Sequence, residues 1–167
     1  MIIPFSNSRL LRKKHLDKMM VFCSGSFDLV HLGHIRFLEA CRLLGDALAV
    51  AVGTDIEIRR DKGPNRPIFN EWVRLQTIDA IRWVDYAFLN PPIASIEPLA
   101  PMREMLVAVQ PDIWAVNHDA SRIPLRKELA AELGIEFRIL NIRRDDPRYA
   151  DLSTTQIIQK IRGLRDS

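Results

Sequence analysis

The chain is short of the features that mark several protein classes. It has only two cysteines, Cys23 and Cys41. Without C-x-x-C spacing they argue against a zinc or dithiol redox motif and are expected to be buried thiols of a cytoplasmic protein. No apolar run approaches the roughly 18 residues that a bilayer-spanning helix needs, so no membrane is expected among its partners. The first 20 residues lack the apolar stretch and small-residue cleavage site of a secretory signal. No internal repeat or low-complexity block is visible. Net charge is small, +3, and it is local. Arg9, Arg12, Lys13, Lys14 and Lys18 stand against Asp17 alone in residues 1–20, a net of +4, which leaves about −1 for the rest. A nearly neutral body argues against nucleic acid as a partner. Residues 1–19 are expected to be a solvated, partly disordered basic extension, with Lys18 the residue best placed to reach a bound polyphosphate.

What is present is organised around residues 20–34. Met20 to Cys23 is a short apolar run that reads as a buried strand, Ser24-Gly25-Ser26 is a small-residue turn, and His31-x-Gly33-His34 falls where a helix begins. Small residues let backbone N–H groups approach a phosphate, and a helix N-terminus adds partial positive charge there. Ile35, Leu38, Cys41 and Leu44 recur at helical spacing, Gly45 reads as the residue ending that helix, and Ala47 to Val52 is an uninterrupted apolar strand. Residues 20–52 thus form a βαβ unit. Residues 57–69 read as a loop broken by Gly63, Pro64 and Pro67. Asn70 caps a helix with Trp72, Val73, Ile78 and Ile81 on its buried side. Strands are expected at 84–89, 112–116 and 135–142, and helices to about Gln110, over 125–133 and after Ser153. The pattern predicts one α/β domain over residues 20–167, a Rossmann-like, doubly wound, parallel five-stranded sheet. Ligands of such sheets bind outside the carboxyl ends of the strands, where the polar segments 24–34, 53–66, 117–122 and 143–155 should converge.

Two histidines three apart share a helix face, so both rings can point to one place, and the intervening glycine keeps the backbone open to a bulky ligand. Phosphate contact is the principal reading. Metal binding is the alternative, with His118 available as a third ligand.

Gly25-Ser26-Phe27-Asp28-Leu29-x-His31-x-Gly33-His34 resembles the signature of the cytidylyltransferase-like nucleotidyltransferases. Three further stretches match in order: Leu44-Gly45-Asp46 through Gly53-Thr54-Asp55, Lys62-Gly63-x-x-Arg66-Pro67 followed by Arg74, and Leu152-Ser153-Thr154-Thr155-x-Ile157-Ile158. The second of these is similar to the heptose-phosphate adenylyltransferase domain and the archaeal type of FAD synthetase. The resemblance covers residues 20–162. It implies attack by an acceptor phosphate on the α-phosphorus of a nucleoside triphosphate, ATP or CTP, with release of pyrophosphate and no covalent enzyme intermediate.

The resemblance also distributes roles. His31, His34 and Lys62 are the catalytic candidates: the histidines on the α- and β-phosphates, Lys62 on the leaving pyrophosphate. Gly25, Ser26, Phe27, Asp28, Gly33, Asp55, Arg66, Asp119, Ser153, Thr154 and Thr155 are the nucleotide-binding candidates. Asp28 has two readings, fixing the loop or orienting a metal. Arg143 and Arg144 are candidates for gripping an anionic acceptor. No protein-held metal site is expected; Mg²⁺ is expected to enter with the triphosphate. The partners implied are a nucleoside triphosphate, a phosphorylated small molecule and a second copy in a homodimer. The Lys62 element favours an adenylyl-type enzyme acting on a sugar phosphate. Alternatives are a cytidylyltransferase for a polyol or amino-alcohol phosphate, an FMN adenylyltransferase, or a nucleotide-binding sensor without turnover. The loop Asn117-His118-Asp119-Ala120-Ser121 departs from the family's usual glycine-containing segment, and the charged 143–149 loop is also unusual.

Overall fold

Met20, Val21, Phe22 and Cys23 are all fully buried, which requires cover on both faces of the strand they form. The computed structural model, which describes residues 1–92, 97, 99–142 and 153–164, places this strand, β1 (Met20–Gly25), at the centre of a five-stranded sheet. Its neighbours are β2 (Ala47–Val52) and β4 (Ile113–Asn117); β3 (Tyr86–Leu89) and β5 (Glu136–Leu140) lie outside them, giving the order β3-β2-β1-β4-β5. Every pairing is parallel. The order reverses at β1, so the carboxyl ends of β1 and β4 open a crevice.

Successive residues of a strand face opposite sides, and the two cores follow that alternation. Met20 and Phe22 join Ala47, Ala49 and Ala51 on one face; Val21 and Cys23 join Leu48, Val50 and Val52 on the other. The alanine face of β2 leaves room for the large rings of Phe22, Phe88 and Trp114. Burying each of these rings is worth about 1.5–3 kcal/mol. Helices α2 (Leu32–Arg42) and α4 (Glu71–Asp79) supply Phe37, Leu38, Cys41, Leu75 and Ile78 to the second core. Helices α5 (Ala100–Val109) and α6 (Ile123–Glu132) supply Met102, Met105, Leu106, Val109, Leu129 and Ala130 to the first. The expected α/β class, parallel sheet and five strands are all present.

Several expectations about local structure change. The N-terminal arm is packed rather than solvated. A six-residue stretch of 3₁₀-type helix, Phe5–Leu10, leads into the short helix α1 (Leu11–Lys14). Leu11 enters the first core, and Phe5 meets Phe88 at 5.9 Å between ring centroids. Arg12 forms a bidentate pair with Asp112 at 2.8 and 3.0 Å, and Ile2 bridges Ala87 along the outer edge of β3. Lys18 precedes the amino end of β1, about 20 Å of strand away from the crevice, and so does not reach a ligand bound there.

Residues 57–69 are not all loop, because Asp55–Lys62 forms helix α3. Thr54 and Glu57 make a reciprocal capping box: Thr54 Oγ1 accepts from the Glu57 N–H, and Glu57 Oε2 accepts from the Thr54 N–H. Asn70 does cap α4, but Trp72 and Val73 are exposed; Arg74, Leu75 and Ile78 form the buried side.

Gly45 is required for a reason other than helix termination. A Cβ there would stand 2.6 Å from the Met19 carbonyl oxygen and 2.8 Å from Val21. Gly45→Ala must therefore push the backbone leading into β1. The expected cost is about 1–3 kcal/mol, read as a lower denaturant midpoint at unchanged slope.

Candidate active site

The turn after β1 carries unusual backbone for its residues. Phe27 and Leu29 adopt left-handed conformations, with φ of 46° and 48°. Such residues persist only where the surroundings over-determine them. Asp28 between them is that determinant. It is wholly buried, and its carboxylate accepts from Arg66 Nε at 2.9 Å, Ile68 N at 2.9 Å and Phe69 N at 3.0 Å. Its carbonyl oxygen accepts from Thr154 Oγ1 at 2.7 Å. The geometry therefore supports the loop-fixing reading of Asp28. One carboxylate joins the β1–α2 turn to the 66–69 segment, and its own carbonyl joins both to helix α7 (Thr154–Gly163).

Arg74 completes the support. This arginine is 1% exposed, yet each of its three nitrogens is satisfied. Nη1 donates to the Ser26 carbonyl at 2.6 Å, Nη2 to Asp55 Oδ1 at 2.8 Å and Nε to the Phe69 carbonyl at 2.9 Å. Asp55, expected among the ligand-binding residues, is instead part of this scaffold. Its backbone N–H is held by Glu71 and its carboxylate by Arg74.

Above the scaffold lies a crevice of about 670 Å³. Gly25, Ser26, Phe27, His31, Gly33, His34, Lys62, Arg66, Asp119, Ser153, Thr154 and Thr155 all contribute to its wall. Gly25 is backed by the Phe27 ring, 3.0 Å from where a Cβ would sit, so the turn stays tight. His31 is the N-cap of α2 and His34 its third residue. Their rings stack with centroids 3.9 Å apart, and His34 meets the Phe27 ring edge-on at 5.6 Å. The His31 N–H points at His34 Nδ1 over a long 3.4 Å. A neutral His34 accepting there carries its proton on Nε2, a donor for an oxyanion.

Lys62 is the last residue of α3, and its Nζ donates to Ser26 Oγ at 2.9 Å across the site. The residue as a whole is exposed, but its ammonium lies against the crevice wall. Desolvation, then the neighbouring Arg66 guanidinium, lowers its pKa from the ordinary lysine value; Asp28, Asp119 and Asp61 act in the opposite direction. Arg66 Nη2 is buried at the wall with no partner among the described residues. Ser153 caps α7, accepting from the Gln156 N–H at 3.2 Å, so the helix presents its N-terminus to the crevice.

His118 is not brought to the histidine pair. Its backbone N–H extends the β4–β5 ladder to the Leu140 carbonyl, and the crevice wall does not include it. Asp119 is held by Asn117 Nδ2 at 2.8 Å. Arg143 and Arg144 lie outside the described residues. Among the wall residues that escaped the sequence reading are Glu57, Asn90 and Arg126. The Thr54-x-x-Glu57 capping pattern was the signal available for the first. Asn90 follows β3 directly, at a carboxyl end. Arg126 lies 5.6 Å from the Trp114 ring centroid, a contact with no local sequence signature.

A family model described as cytidylyltransferase-like matches residues 22–160. The chain is 37% identical over 160 residues to the bifunctional protein HldE of Desulfatibacillum aliphaticivorans, covering 95% of this chain and 30% of that protein. With the bifunctional protein HldE of Campylobacter fetus subsp. fetus it shares 30% identity over 162 residues, covering 95% and 31%. The chain thus spans about 30% of the length of these curated relatives. Among solved structures it is similar to the lipopolysaccharide core biosynthesis protein from Thermoplasma volcanium GSS1. That match has a TM-score of 0.60 and 32% identity, covering 74% of this chain and 95% of that one. A pantoate–β-alanine ligase from Francisella tularensis shares the fold at 14% identity and a TM-score of 0.60, over 94% of this chain and 75% of that one. The matched span takes in all five strands, the histidine turn and most of the closing helix, and the chain belongs to the cytidylyltransferase-like family.

Proposed function

We propose that this chain transfers a nucleoside monophosphate, AMP in the favoured reading, from its triphosphate to a phosphorylated sugar. The observation that carries the reading is the convergence of His31, His34 and Lys62 on the Ser26 turn, between the N-termini of α2 and α7. Such a site suits a polyphosphate. An oxygen of the acceptor's phosphate monoester attacks the α-phosphorus, a new P–O–P bond forms, and the bond to the β-phosphate breaks with its electron pair leaving on pyrophosphate. The attacking group is already an anion near neutral pH, so the site needs alignment and charge neutralisation rather than a general base. His31 and His34 meet the charge growing on the α- and β-phosphates. Lys62 and Arg66 meet the departing pyrophosphate, and the first turn of α7 receives the terminal phosphates. Mg²⁺ would enter with the triphosphate, held mainly by phosphate oxygens, and would add charge neutralisation there.

The sugar acceptor is supported by the 32% identity to the lipopolysaccharide core biosynthesis protein from Thermoplasma volcanium GSS1. The buried free thiols of Cys23 and Cys41 suit a reducing, cytoplasmic setting. A homodimer is supported by the exposed apolar run Ile68, Phe69, Trp72 and Val73, which sedimentation analysis would test; a monomer at all concentrations counts against it.

The deciding experiment crosses four nucleoside triphosphates with phosphorylated sugars, polyols, amino-alcohols and FMN, read by pyrophosphate release. ATP with a sugar phosphate is expected to be fastest. A faster reaction with CTP and a polyol or amino-alcohol phosphate would replace this reading, and no pyrophosphate with any pair would remove turnover altogether.

Lys62 adds a pH signature. Its ammonium is needed to meet phosphate, and its pKa is lowered by desolvation first and Arg66 second. The charge is present below that pKa and lost as pH rises through it. The alkaline limb of kcat/KM should therefore begin at lower pH than an ordinary lysine would give. In Lys62→Met that limb should vanish; an unchanged profile would take Lys62 out of the reaction.

A further inference from the structure

We infer that Glu57 is the residue that recognises the hydroxyl groups of the acceptor, held in place for that task by Thr54 and Asn90. The inference rests on the nucleotidyl-transfer reading. Strand order divides the crevice. The Ser26 turn and both histidines follow the central strand β1. Arg122, Arg126 and the N-terminus of α6 lie on the β4–β5 side, together with Asp119, while the N-terminus of α7 is tied to the central turn through Thr154 and Asp28. Glu57 and Asn90 follow β2 and β3 on the other side. A polyanion is attracted to the β4–β5 half through its two guanidinium groups and the N-terminus of α6, and to the centre through the N-termini of α2 and α7. The second half presents the Glu57 carboxylate, which accepts hydrogen bonds from neutral hydroxyls, with the cations Arg60 and Lys62 further along the same helix for a phosphate.

Glu57 is built in rather than incidental. It is 8% exposed and still contributes to the crevice wall. Oε2 accepts from Thr54 N at 2.8 Å, Thr54 Oγ1 at 3.1 Å and Asn90 Nδ2 at 3.0 Å. Oε1 has the same Asn90 amide at 3.2 Å, which leaves it the more open of the two oxygens. With its nitrogen committed to the carboxylate, Asn90 leaves its own Oδ1 buried and without a partner among the described residues. An unsatisfied buried acceptor is unfavourable and calls for an explanation. Holding one carboxylate rigidly beside the site supplies it. Leu99, Met102 and Met105 border the same half and offer apolar cover for the carbon face of a sugar. An acceptor with its phosphate between the histidines and Lys62 and its hydroxyls at Glu57 fits this arrangement of groups.

The test uses Glu57→Gln, since glutamine at that helix position preserves the capping box and the fold. Michaelis parameters are measured by pyrophosphate release, with ATP and with a sugar phosphate and its single-deoxy analogues. For the sugar phosphate, kcat/KM is expected to fall about 10- to 100-fold, the loss of a hydrogen bond to a charged group, mainly through KM, while the KM for ATP stays within about twofold. Wild-type discrimination against one deoxy analogue should disappear in the variant. Asn90→Ala, which leaves the Thr54 cap intact, should weaken acceptor binding in the same direction by less. Wild-type turnover with an unchanged acceptor KM in Glu57→Gln would overturn this assignment alone, as would equal losses toward ATP and acceptor. A preference for ethanolamine phosphate that depends on Glu57 would also overturn it, by assigning the carboxylate to a cation. Wild-type protein that releases no pyrophosphate with any acceptor overturns the transfer reading and this subsite with it.

Discussion

His34→Ala is expected to lower kcat by about 10²- to 10³-fold, the effect of removing one preorganised oxyanion donor. The reason lies in where the side chain stands. It stands in the first turn of α2 against His31 and Phe27, on the wall of the crevice. Its interaction grows as charge accumulates on the phosphates, so the loss should fall on kcat more than on KM for the triphosphate. Removing it should cost little stability, because the helix N-cap is His31 and the buried Asp28 network is untouched. Steady-state kinetics by pyrophosphate release, with thermal melting as a control, separates the two. Turnover near that of the wild type would exclude His34 from stabilising the developing charge.

Arg74→Ala should act on stability and activity together. The guanidinium is buried with three partners, and its removal leaves the Asp55 carboxylate, the Ser26 carbonyl and the Phe69 carbonyl without their donor. Breaking a buried ion pair by deleting one partner costs about 3–5 kcal/mol, a large share of the stability of an ordinary domain. The Ser26 turn is one of the points released, so any folded fraction should also lose phosphate affinity. Arg74→Lys keeps the charge without the fork and should recover little of either. Denaturant unfolding together with triphosphate titration reads both effects. A loss below about 1 kcal/mol would mean that neighbouring groups can replace the arginine's hydrogen bonds.

The difference between these two positions also explains how much could be read from the chain. Fold class and the family were legible because their signals are local. Buried parallel strands are written as uninterrupted apolar runs such as Ala47–Val52, and the histidine turn is contiguous in sequence. What escaped the reading depends on contacts across the fold. Arg74 resembles any helical arginine until Ser26, Asp55 and Phe69 surround it. The 1–19 arm looks solvated by composition, yet Leu11, Phe5 and Arg12 find partners on β3, β4 and the core between them. Helix α3 carries almost no apolar stripe: only Glu57 and Ile58 are buried, so hydrophobic periodicity was silent. Its capping box spoke instead, and that is a signal of where a helix starts rather than how far it runs.

Helix α7 has a consequence of its own. None of its residues is fully buried, and among the described residues its hydrogen bond to the turn runs from Thr154 to the Asp28 carbonyl. An element with so little packing opens at a small fraction of the global unfolding free energy. A nucleotide that binds only the docked helix adds RT ln(1 + [L]/Kd) to its closure, about 2.7 kcal/mol at a hundredfold excess over Kd. On the proposed reading a bound triphosphate would serve as a structural tie as well as a substrate: its presence would tighten the wall, and the departure of pyrophosphate would loosen it.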